Sequence, residues 1–187
     1  MAIQLNRNDF TGLGNVAKHC NLEKLDIAVN EAIQFDLKPL LCDLFLDVEA
    51  NWEDTEGIWY DLIYPLEFEG CNEKTKSHQG LKKVLTYYAY ARYVLINNFD
   101  DTPNGGVNKT NEWSIPKPYA DLKTVAERYR NMGYDLWKEV EMYICLNEDV
   151  YTDADFDCSP CGCNGKCNSR TKNKGFGFKS SNISKRI

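Results

Sequence analysis

Apolar positions recur at helical spacing through most of the chain. In LEKLDIAVNEAIQF (22–35), Leu25, Ala28, Val29, Ala32 and Ile33 fall on one side of a helix. Asn21 suits its N-cap and Glu23 its first turn. Pro39 predicts an end or kink there, and itself suits the first position of a second helix with Leu40, Leu41, Leu44, Phe45 and Val48 as its stripe. GIWYDLIYPLEF (57–68) reads as a short helix stopped near Pro65, and EGCNEKTKSHQG (69–80) as a polar linker.

The next helix spans 81–98. Leu81, Val84, Leu85, Tyr88, Arg92 and Leu95 share one side, while Tyr87, Tyr90 and Tyr93 widen the apolar belt, which implies burial on more than one side. Pro103, Gly105 and Gly106 then break the period, predicting a turn and a short extended finger within 102–115. A last helix is expected from about Pro118 to Asn147, with Leu122, Val125, Ala126, Tyr129, Leu136, Trp137, Val140 and Ile144 inward. At about 1.5 Å per residue it is roughly 45 Å long, which suggests packing against a neighbour. The fold class expected is mainly α: a helical bundle with a long C-terminal helix, a β finger and an extended C-terminal arm.

Charge divides the 187 residues in two. From Cys158 onward there are seven basic residues and no acidic one, so the net charge of -6 leaves -13 on residues 1–157. An acidic body (1–157) with a basic, Cys-rich arm (158–187) is the expected organisation. The body repels phosphate, and the arm seeks anions or acidic protein surface. No apolar run approaches the roughly 18 residues that span a bilayer, and MAIQLNRNDF lacks the pattern of a signal peptide, so a soluble product of a cytoplasm with no membrane partner is expected.

Patterns of catalytic residues are sparse. His19 and His78 are far apart, and neither HExxH, GxSxG nor GxGxxG occurs. Gly165-Lys166 lacks the Ser or Thr and the leading Gly of a phosphate loop. The triplet Asp153, Asp155, Asp157 lacks the Gly and Glu of a calcium loop. Cys42 and Cys145 sit among apolar neighbours and read as small core residues.

Cys158, Cys161, Cys163 and Cys167 carry the one strong chemical signal. Cys158-x-x-Cys161 has zinc-knuckle spacing, and the other two thiolates could complete a tetrahedral structural zinc site, with Gly162 and Gly165 easing the turn. Such sites more often join two separated pairs, so disulfides or free thiols stay open as alternatives. No cofactor is otherwise required. Further on, Phe176 and Phe178 are interleaved with lysines, a pattern of single-strand binders, but their alternation also suits a strand added to a partner's sheet. The acidic body favours docking over a nucleic-acid track. The sequons at 108–110 and 182–184 matter only if the chain is secreted.

Residues 81–114, LKKVLTYYAYARYVLINNFDDTPNGGVNKTNEWS, resemble head–tail connector (adaptor or ring) proteins of tailed phages, of the type found in Bacteroides-infecting, crAss-like phages. Tyr90-Ala91-Arg92, then Thr102-Pro103-x-Gly105 with Val107-x-Lys109-Thr110, then the long helix carry the likeness, and EAIQFDLKPLL (31–41) fits it. It spans roughly residues 1–150. The resemblance implies a non-enzymatic virion protein in the neck, about twelve copies forming a ring between the portal and other neck or tail proteins. Such a ring would line the channel for passing double-stranded DNA without sequence specificity. The residues then expected at subunit or portal contacts are Tyr90, Arg92, Thr102, Pro103, Gly105, Val107, Lys109 and Thr110 in the body. Phe176, Phe178, Lys185 and Arg186 are expected to make them in the arm. The alternative is a small zinc-containing nucleic-acid-binding regulator that works through its C-terminal segment.

Overall fold

A computed structural model describes residues 3–13, 21–70, 74–102, 105–108, 118–147 and 149–151, with only the backbone described for 99–102 and 105–108. The chain is mainly helical, as its periodicity predicts. In order, α1 (Leu22–Ala32), a π-turn (Ile33–Leu37), α2 (Lys38–Leu41), α3 (Phe45–Ala50) and α4 (Ile58–Ile63) are followed by strands β1 (Leu66–Glu69) and β2 (Thr75–His78). Then come α5 (Gly80–Ile96), strands β3 (Phe99–Thr102) and β4 (Gly105–Asn108), and α6 (Tyr119–Leu146).

α5 is the centre of the body, packed against both α1 and α6. That position explains its all-round apolar surface: Leu81, Val84, Leu85, Tyr88, Ala89, Tyr90, Ala91 and Tyr93 are all buried. On α6 the buried positions are Ala126, Gly133, Trp137, Val140, Tyr143 and Ile144, one stripe at helical spacing. Gly133 sets the approach of the two helices, since a Cβ there would stand 3.2 Å from the Tyr87 Cβ. α6 runs antiparallel to α5: Tyr129 meets Tyr90 edge to face at 4.6 Å, and Gly133 faces Tyr87 and Tyr88.

The length of α6 is used largely within the subunit. Its C-terminal turns continue past the start of α5 onto the β1–β2 hairpin, where Tyr143 packs on Phe68 (5.0 Å) and His78 (4.8 Å). Beyond the helix the chain turns back. Tyr151 is buried, donates its hydroxyl to the Ile58 carbonyl at 2.7 Å and meets Trp59 edge to face.

The N-terminal segment is pinned onto this core. Phe10 and Leu13 are buried, Lys82 pairs with Asp9 at 3.0 Å, and the Trp52 indole donates to the Gln4 carbonyl. Asn21 caps α1 as expected, its side chain accepting the Lys24 N–H at 3.1 Å. Pro39 ends no helix abruptly. It stands in the first turn of α2, one turn after a π-turn in which the Lys38 N–H reaches back five residues to Ile33. A π-turn loosens the backbone where proline withdraws a donor and crowds the preceding turn.

Four expectations are corrected. The linker 69–80 contains β2, paired antiparallel with β1 from Leu66↔His78 to Glu69↔Thr75. Cys42 is not a core residue: it is exposed, at the turn after α2, with φ of 48°. Cys145 is half-buried rather than core. The finger is a hairpin whose strands start three residues before the expected 102, paired from Phe99↔Asn108 to Thr102↔Gly105. Residues 109–117, His19, Cys20, Cys71 and the whole arm, with the proposed boundary at 157, lie outside the described residues.

Candidate interaction surface

Helix direction sets Tyr90 and Arg92 in the second half of α5, with the described hairpin residues Thr102, Gly105 and Val107 following it in the chain. Because α5 and α6 are antiparallel, the end of α5, from which the β3–β4 hairpin follows, and the start of α6 lie at the same end of the helix pair. With Tyr90 opposite Tyr129 and Tyr88 opposite Gly133, the last residue of α5 falls near Lys123. The first turn of α6 therefore lies at the very end of α5, where packing is incomplete. Tyr119 shows the consequence. It stands one heptad before Ala126 and two before Gly133, on the inward stripe, yet is 67% exposed.

A groove of about 210 Å³ follows this junction, with Ala91, Arg92 and Leu95 of α5 on one wall and Tyr119, Lys123, Ala126, Glu127 and Arg130 of α6 on the other. Its floor is ionic. Asp36, 8% exposed and held inward by the π-turn, accepts the Arg92 Nε–H at 2.6 Å on one carboxylate oxygen and Arg130 on the other. Arg92 also donates to Glu31 at 3.1 Å, and its guanidinium lies over the exposed Phe35 ring, 5.4 Å from the centroid. Burial alone would disfavour the charged Arg92, but the bonds and charges of Asp36 and Glu31 outweigh it and raise its pKa. Burial, and after it the Asp36 charge, raises Tyr88.

The structure gives Tyr90 and Arg92 internal roles. Tyr90 is 9% exposed and belongs to the core, and Arg92 is committed to the carboxylates while forming part of the groove wall. Thr102, Gly105 and Val107 have backbone positions in the β3–β4 hairpin that follows α5. Pro103, Lys109, Thr110, Phe176, Phe178, Lys185, Arg186 and the four cysteines from Cys158 to Cys167 lie outside the described residues. Among the described residues no cluster of His, Cys, Asp or Glu is arranged to hold a metal, and no helix is long and apolar enough to cross a membrane.

Sequence reasoning missed Asp36, Glu31 and Arg130. The available signal was Arg92 itself: a guanidinium on the apolar stripe of a central helix demands a carboxylate nearby.

At the opposite end, His78 is fully buried between Phe68 and Tyr143. Its Nδ1 accepts the Gly80 N–H at 3.1 Å, which leaves the proton on Nε2, and Nε2 has no partner among the described residues. Desolvation lowers its pKa to about 4, so the ring is neutral. It is a packed core histidine, with neither nucleophile nor second base described beside it.

No curated protein and no solved structure matches the chain. The family of unknown function DUF6712 matches residues 37–164, from the π-turn through α6 and into the cysteine cluster. That is about two thirds of the sequence, and the chain belongs to this family.

Proposed function

We propose that this chain is a structural, non-enzymatic subunit of a phage virion, one copy of a head–tail connector ring that sits between portal and tail and surrounds the DNA channel. The observation that carries the reading is the unfinished end of the body. There an exposed Tyr119, at a position of the inward stripe, lines a groove between the end of α5 and the first turns of α6, and the β3–β4 hairpin follows α5.

A closed ring needs two different faces per copy. The hairpin end supplies one, with Tyr119 as an aromatic anchor of the kind that dominates contact energy. The resemblance of residues 81–114 to connector proteins supports the same role, and so does the charge of -13 on residues 1–157. A channel wall of that sign does not retain passing phosphate.

Electron microscopy of the chain mixed with the portal protein tests this. Closed rings seated on the portal, lost in Tyr119→Ala, are the expected result. A portal that carries no ring of this chain overturns the reading.

A further inference from the structure

The β1–β2 hairpin is a two-stranded sheet, so the outer edge of β1 has no strand beside it among the described residues. The Gly70 N–H donates to the Lys74 carbonyl at 2.9 Å, and this sets the phase of the ladder. Hydrogen-bonded pairs alternate, so Phe68 and Leu66 bond inward to β2. Glu67 and Glu69 turn their N–H and C=O groups to the open edge.

Beside that edge lies a groove of about 510 Å³ between β1 and the last turn of α6, walled by Leu66, Phe68, Tyr143 and Leu146 and bordered by Glu69 and Asn147. β1 alternates along its length, Leu66 and Phe68 half-buried, Glu67 and Glu69 exposed. An occupant that fits has an extended backbone, bulky apolar groups at every second position, small residues between them, and positive charge.

We infer that the chain's own C-terminal segment 174–179, KGFGFK, docks on β1 as a third strand. Phe176 and Phe178 are two residues apart and so share the face of Leu66 and Phe68, over the groove. Gly175, Gly177 and Lys179 take the face of Glu67 and Glu69, where Lys179 meets carboxylates. The tether is favourable. Tyr151, the last described residue, has its ring 6.1 Å from that of Tyr143, a wall of the groove, so the described chain ends beside the site. About 22 residues separate it from the segment, enough chain to return to β1 unstrained. Attachment at this range makes the local concentration of the segment roughly millimolar. The inference is independent of the ring proposal.

Hydrogen exchange of the full-length chain tests it, compared with the full-length double variant Phe176→Ser/Phe178→Ser. The substitutions lie outside the described residues, and unchanged exchange in α5 verifies that the body is intact. The Glu67 and Glu69 amides are expected to exchange roughly tenfold or more slowly in the native chain, at a rate unaffected by tenfold dilution. Equal rates in the two chains overturn the proposal. Protection that falls on dilution overturns it too, since the strand would then come from another copy.

Discussion

The two ends of the α5–α6 pair solve the problem of a buried polar group in opposite ways. At the hairpin β1–β2, His78 is enclosed by Phe68 and Tyr143 and kept neutral by desolvation. At the π-turn, Asp36 is just as hidden but remains useful as a charge, because Arg92 and Arg130 reach it from two different helices. At one end aromatic rings close over a neutral polar group; at the other, charges balance in a network that stays partly open to solvent. A charged junction of this kind ties α1, α5 and α6 together where apolar packing thins out. The closed end needs shape alone.

The largest expected effect comes from breaking shape at the closed end. Gly80 has φ of 77° and begins α5 directly under α4, where a Cβ would stand 2.6 Å from the Tyr64 carbonyl carbon. Gly80→Ala meets backbone on one side and a left-handed conformation on the other. A loss of about 4 kcal/mol is expected in urea unfolding. Next is the open end, where Asp36→Ala strands two guanidiniums, one of them largely buried. A loss of about 3 kcal/mol is expected, with much less from Arg130→Ala because that side chain is 53% exposed.

Acid sharpens the contrast. The histidine of the unfolded chain takes up a proton near its ordinary value of 6.5, whereas folded His78 resists protonation down to about pH 4. Between those values the unfolded state binds more protons, so stability falls as pH drops from 6.5 towards 4 and this contribution levels off below. The span corresponds to roughly 3 kcal/mol, and His78→Gln should flatten the slope across pH 5–6.5 in chemical denaturation. The smallest effect is Tyr151→Phe. It removes one hydroxyl donated to the Ile58 carbonyl and should cost about 1 kcal/mol, visible as a modest drop in melting temperature.

Long, periodic segments are legible in the sequence, and short or distant ones are not. α5 and α6 begin and end within a residue or two of their predicted bounds, because seventeen and twenty-eight residues repeat the 3.6 period many times. β2 escapes because TKSH contains no conventional apolar residue, its inward position being filled by a neutral histidine. Cys42 misleads for a geometric reason. Its apolar neighbours are buried by the helices on either side, while the turn between them carries it outward. The Asp36 network spans 56 and 94 residues of separation to Arg92 and Arg130, beyond any local pattern. The finger is readable as Pro and Gly chemistry, but its first strand, FDDT, looks polar and is found only by its pairing with GGVN.

The π-turn also bears on how this chain tolerates insertions and deletions. A π-turn amounts to one extra residue within an α-helix. Deleting Gln34 would leave an ordinary helix of better local geometry, yet would rotate everything after it by about 100° relative to α1. Asp36 would swing away from its arginines, and Leu37 and Leu41 would leave the core together. The spacing between Ala32 and Lys38 is thus fixed in length although Gln34 and Phe35 are exposed, and natural length variation in this part of the chain should fall outside that window.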